Sequence, residues 1–204
     1  MPPMPDPPHV GLFTKYVLEN PYPPAALLAA LAVVMAWAAL RDGRLGRLKA
    51  AGIPALIAVA ALAAGILVTT AGERGEMLAR QFVDAVVAED VVAASDMLSD
   101  NATLAVGAPT NPSFNLEYIQ EQLDDLIDRY EITSNRITSL RGYGTSSQRA
   151  EVHLACRTEV ADGWSPTPSR WVLEVERQED GSWKIARITW ISIGSRGANM
   201  QWLR

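Results

Sequence analysis

Two kinds of apolar pattern follow one another along this chain, and the change comes near residue 71. No charge falls between Glu19 and Arg41, and Ala25 to Leu40 reads AALLAALAVVMAWAAL. A second charge-free run, Ala50 to Gly72, contains GIPALIAVAALAAGILVTT. Each run offers about twenty residues, enough to cross a ~30 Å hydrocarbon layer as a helix. Each is apolar on all faces instead of along one stripe, unlike a helix lying on a soluble core. The expectation is a transmembrane hairpin over 21–71, with spans at about 21–40 and 50–71; Pro54 is tolerated near the start of the second. Small residues four apart, Ala60 with Ala64 and Ala61 with Gly65, would let the two helices approach closely.

The loop 41–49 carries four cations and one anion, whereas the flanks, with Lys15 and Glu19 before and Glu73, Arg74 and Glu76 after, are nearly balanced. By the positive-inside rule the loop faces the cytoplasm and both ends face the other side, the periplasm in a bacterial inner membrane. A cleaved signal peptide is disfavoured, because the cations follow the apolar run and no small-x-small site stands after it. The leader, 1–20, is proline-rich, and Phe13, Tyr16 and Tyr22 would suit the lipid interface.

After Thr70 the pattern becomes amphipathic. Leu78, Phe82, Ala85 and Val86 share one helical stripe, and this helix is expected to continue from the second span. Asp90 is placed to cap a short helix carrying Val91, Ala94, Met97 and Leu98, which runs out at Ser99 to Asn101. A strand at Thr103–Val106 precedes the breakers GAPTNPS. A third helix from Ser113 aligns Leu116, Ile119, Leu123, Leu126, Ile127 and Tyr130, with Glu117, Glu121, Asp124, Asp125 and Asp128 towards water. Four β-rich runs follow, about 132–143, 149–160, 170–178 and 183–193, separated by GTSSQ, DGWSPTPS and EDGS. The fold class is α+β: three helices on a curved antiparallel sheet over 72–193, then a tail, 194–204.

Length and charge narrow the function. The 204 residues allow one domain beyond the hairpin. The net charge of −5 divides unevenly, since residues 71–204 hold thirteen Lys/Arg against twenty Asp/Glu. Such a domain repels nucleic acid and is expected to stand off an anionic leaflet. Cys156 is the single cysteine, which excludes an internal disulfide and a cysteine-rich metal site.

The order of elements resembles the NTF2-like superfamily, in particular its SnoaL-like branch. The resemblance is carried by ARQFVDAVVAEDVVAASDMLSDNATL (79–104) and DGSWKIARITW (180–190), and covers about 72–193. It implies a cone-shaped domain. Enzymes of this superfamily are implied to use an acid-base pair in the cone, with the ketosteroid-isomerase branch placing its base in a phrase of the form ATxxD. The matching stretch here is Ala102-Thr-Leu-Ala-Val106, so Val106 stands where that acid would be, and Asn101 replaces an acid of the preceding phrase. Relatives held outside a bacterial inner membrane by a helix include secretion scaffolds and accessory proteins of lipid import, which implies action by contact.

One candidate for chemistry remains. Alternation places Glu151, His153, Ala155, Arg157 and Glu159 on one face of a strand. If that face lined the cone, His153 would be a base, Arg157 an anion clamp, and Tyr143 or Tyr130 a donor; otherwise the face meets solvent or another subunit. Asp124, Asp125 and Asp128 lie opposite their helix's apolar stripe and read as a solvated face. Trp171 and Trp183 suit a core. Trp164, in a loop, and Trp202, near the end, are candidate anchors for a partner. No cofactor or metal motif appears. The expected partners are the bilayer and either other subunits of a membrane complex or a second copy. The expected function is contact without catalysis, the alternative being a small-ligand or acid-base site around His153 and Arg157.

Overall fold

The protein is described from a computed structural model that covers residues 3–9, 11, 21–43, 45–161 and 166–199. The chain forms two compact units, one of His9–Thr70 and one that joins Met1–Pro8 to Ala71–Arg204.

The first unit is a helical hairpin of α1 (Tyr22–Arg41) and α2 (Leu45–Leu67). Prolines in the first turn of α1 sit where no backbone donor is needed. Gly43 takes a left-handed φ of 63° just past the end of α1, a conformation that costs glycine little. The buried positions are alanines seven residues apart, Ala25, Ala32 and Ala39 on α1 and Ala51 and Ala58 on α2, together with Pro54 between the last two. The next step on α2 is Gly65, where a Cβ would collide with the Pro21 ring. A seven-residue repeat keeps one seam facing the partner helix, and Gly65 of the Ala61–Gly65 pair lies on it. Larger side chains point outwards: Leu27, Val33, Leu40, Leu56 and Val59 are all exposed, Leu56 at 71 %. The Arg41 guanidinium lies 5.4 Å from the ring centre of exposed Trp37 at the end of α1. Both helices are long and apolar enough to cross a membrane.

The second unit contains α3 (Ala71–Val87), α4 (Val91–Asp96), β1 (Leu98–Val106), β2 (Ser113–Phe114), α5 (Leu116–Arg129), β3 (Ile132–Gly144), β4 (Arg149–Val160), β5 (Thr167–Arg177), β6 (Trp183–Ile193) and β7 (Arg196–Gly197). Residues 68–70 are not helical, so α3 does not continue α2 as expected. Glu89 has a φ of 58° after α3, and the Asp90 carboxylate accepts the Ala93 N–H at 2.9 Å to start α4. That helix stops earlier than predicted. Leu98 already belongs to β1, because its neighbour Met97 accepts the Ile185 N–H at 2.8 Å. Asn115 caps α5 through Tyr118 N–H, two residues later than the helix was expected to begin.

The sheet runs β2-β1-β6-β5-β4-β3, with β7 paired to β6. Strands β3 to β6 form the expected antiparallel meander, but β1 pairs in parallel with β6, so the sheet is mixed and not wholly antiparallel. Ladder bulges interrupt β6 between its partners of Arg170 and Trp171 and between those of Glu174 and Val175, increasing the local twist. The three helices cover one face. Leu78, Ala79, Ala85, Ala94, Ile119 and Leu123 from the helices pack with Leu98, Leu104, Val152, Leu154, Cys156, Leu173, Val175, Ile185 and Ile188 from the strands. Helix α3 approaches the edge strand as backbone on backbone: a Cβ on Gly142 would strike the Gly72 carbonyl, and one on Gly75 would lie 2.7 Å from a Val152 methyl. The Glu76 carboxylate accepts the Gly142 N–H at 2.7 Å in the same crossing.

Candidate functional site

Register decides which residues share a face. Val152, Leu154 and Cys156 of β4 belong to the core under the helices, and their partners Leu173, Trp171 and Ser169 on β5 therefore face the same way. Across to β6 and β1, the inner face continues through Trp190 and Ile188 to Val106 and Leu104. The Trp171 and Trp190 rings stack there at 5.8 Å, and Trp171 Nε1–H donates to Ser169 Oγ at 2.9 Å. Trp171 and Trp183 both pack against the core, as the strand pattern predicts.

The intervening residues form the outer face. Its central row is Arg141, His153, Val172, Thr189 and Ala105, one from each of five adjacent strands. His153 thus lies on the side of the sheet away from the helices, and not in the cone. It is nevertheless buried, at 7 % exposed. His153 Nε2–H donates to Glu151 Oε1 at 2.7 Å, and the Tyr143 ring meets the imidazole edge-on at 5.1 Å. A carboxylate that orients an imidazole is half of a general-base arrangement. The structure brings His153, Glu151 and Tyr143 together but leaves out the other two candidates. Arg157 is four residues along β4, about 13 Å at strand rise, exposed and directly opposite Arg136. Tyr130 is exposed at the end of α5. A cavity of about 520 Å³ lies at another end of the sheet, lined by Pro3, Met4, Pro5 and Asp6 against Gly107, Ile191, Gly197 and Ala198.

No protein-family model and no curated protein matches this chain. Among solved structures, an NTF2-like protein of unknown function from Pseudomonas putida aligns with a TM-score of 0.51 at 15 % identity, over 66 % of this chain and 92 % of that one. The domain has the NTF2-like fold. A ketosteroid isomerase-like protein from Erwinia carotovora atroseptica aligns with a TM-score of 0.46 at 19 % identity, over 57 % of this chain and 93 % of that one.

Val106, where the resemblance would put an acid, is 1 % exposed and pairs with Trp190, while Asn101 is exposed on the same strand. Cys156 is the one titratable group among the buried core residues, and burial pushes its thiol up to about 11, so it stays protonated and unreactive at neutral pH. Among the described residues no cluster of His, Cys, Asp and Glu is suited to a metal. Glu117, Glu121, Asp124 and Asp128 are exposed on α5, with Asp125 bound to Arg129 at 2.7 Å, as a solvated face requires. Trp164 and Trp202 lie outside the described residues.

Sequence reasoning missed two features. The glycine crossing of α3 on β3 was foreshadowed by glycine spacings, Gly72 with Gly75 and Gly142 with Gly144. The other is a division of charge: residues 71–131 hold thirteen acids against three cations, while residues 132–204 hold ten cations against seven acids. The domain's negative total conceals a sheet portion of opposite sign.

Proposed function

We propose that this chain is a membrane-anchored NTF2-like module that acts by protein contact without catalysis, as an accessory subunit of a membrane complex or a self-associating scaffold. The observation that carries the reading is the cone interior, where leucine, valine, isoleucine and tryptophan occupy the positions between helices and sheet and Val106 fills the acid position. General acid-base chemistry needs a tuned ionisable group beside a substrate cavity, and the His153–Glu151 pair is on the other face of the sheet.

The anchor is the hairpin. Its outward leucines and valines favour a hydrocarbon solvent, and the basic loop 41–49 favours a cytoplasmic loop, with the NTF2-like domain outside a bacterial inner membrane. Cysteine labelling of intact cells tests the orientation. Cys156 is 3 % exposed and protonated, so it contributes little background. Asp42→Cys should escape an impermeant maleimide, and Ser182→Cys should react; the opposite outcome reverses the topology. Replacement of His153 by Ala in the full-length protein tests the contact reading. Cellular function should persist in proportion to folded protein, and loss of function in a folded variant that keeps its partners would point to a small-ligand or acid-base role.

A further inference from the structure

We infer that the arginine-rich half of the sheet's outer face docks the acidic face of α5 from a second copy of this chain. The inference rests on the contact reading above and names its partner. Three successive cross-strand rows make the patch. They are Arg136 with Arg157, then Ser139, Ala155 and Arg170, then Arg141; Ser192, His153, Val172, Thr189 and Ala105, which complete the last two rows, are buried and take no part in the contact. Four arginines fall in these rows and no carboxylate.

Arg136 and Arg157 are both exposed and sit directly opposite each other, an arrangement that costs stability because like charges repel across the strand pair. Among the described residues, neither they nor Arg141 have an acid within ion-pair distance. The carboxylates in the next row are already engaged, Glu151 by His153 at 2.7 Å and Glu174 by Arg187 at 3.3 Å. An external anion would relieve the repulsion.

The same chain supplies one of matching sign and length. Glu117, Glu121, Asp124 and Asp128 are exposed at successive steps of three and four along α5, so they form one stripe. Their eleven-residue separation spans about 16 Å at helical rise, and Arg136 to Arg141 spans about 16 Å at strand rise. Helices cover the inner face of the sheet and the arginines occupy the outer face, so a copy presents the two surfaces in different directions. The contact is therefore heterologous, and repetition closes a ring or extends a row. The NTF2-like domains carry net negative charge and repel at long range, but beyond a Debye length of roughly 8 Å at physiological salt this is screened, leaving the local pairing to decide.

The test uses the full-length protein in mild detergent, with sedimentation at about 0.05 M and about 0.5 M salt. Self-association should weaken as salt rises. Arg136→Glu with Arg157→Glu should weaken it at least tenfold, and so should Glu121→Arg with Asp124→Arg; all four positions are exposed, and circular dichroism confirms folding. Mixing the two reversed proteins should restore association, since each then offers the surface the other lost. Unchanged association in both variants, or no recovery on mixing, would overturn the pairing. So would loss of binding to phosphatidylglycerol vesicles in the arginine variant with self-association intact, which assigns the patch to lipid. None of these failures touches the contact reading, which stands on the separate His153→Ala result.

Discussion

In the hairpin, alanines are buried while leucines, valines and Trp37 face outwards; in the NTF2-like domain, leucines, valines and isoleucines are buried while the arginines and carboxylates of its outer surfaces face outwards. The two units invert the usual relation of size to burial, as the proposed membrane anchor would require of its hairpin. Where water surrounds the element, burying a large apolar group is worth about 1.5–3 kcal/mol, and the core collects such groups. Where hydrocarbon surrounds it, large apolar groups gain nothing by turning inwards, and close backbone approach along small residues provides the packing. One chain thus uses alanine and leucine in opposite ways on either side of residue 71.

The comparison is most exposed to failure in the domain core. Leu123→Ala or Leu173→Ala should cost ~2–5 kcal/mol in urea unfolding of residues 71–204. A cost within about 0.5 kcal/mol at both would mean that these side chains are not core. The glycine crossing sharpens the comparison from the side of overpacking. Gly142→Ala places a methyl group against the Gly72 carbonyl and should cost ~1–3 kcal/mol, with increased amide exchange at α3. A neutral substitution would show that α3 stands further from β3. His153→Ala removes a hydrogen bond to the partly exposed Glu151, and a loss of ~1 kcal/mol is expected in the same unfolding measurement. The smallest effect belongs to the hairpin. Leu56→Ala, at an outward position, should shift the domain's melting temperature by no more than about 1 °C, which corresponds to a few tenths of a kcal/mol. A larger shift would mean that the leucine supports the NTF2-like domain instead of facing a solvent of its own.

Periodicity made most of the fold legible. The charge-free runs gave both long helices, the stripe Leu116–Ile119–Leu123 gave α5, and alternation gave β3 to β6 to within about three residues. It did not give β1 its full length or its parallel pairing with β6. Leu98 fits a helical stripe as well as a strand, and only the long-range bond from Ile185 to Met97 decides between them. The candidate site was half legible. Alternation separated His153 from Val152 and Leu154, but no local pattern says which face meets the helices. That choice is made by Gly75 against Val152, residues far apart in sequence. The arginine rows were hidden for the same reason: Arg136, Arg157 and Arg170 become neighbours only through strand register.

The residues ahead of α1 carry a consequence for chain topology. Met1–Pro8 belongs to the same compact unit as Ala71–Arg204, and Pro3, Met4, Pro5 and Asp6 share a cavity with Gly107 and Ile191. A chain that departs from a folded unit and later rejoins it can cross a barrier only an even number of times. An odd count, with one of the long helices lying flat or cleaved away, would strand the proline-rich segment on the wrong side from the strands it lines. A reporter enzyme fused ahead of Pro3 and one fused after Asn199 must therefore light up in the same compartment, whichever compartment that is.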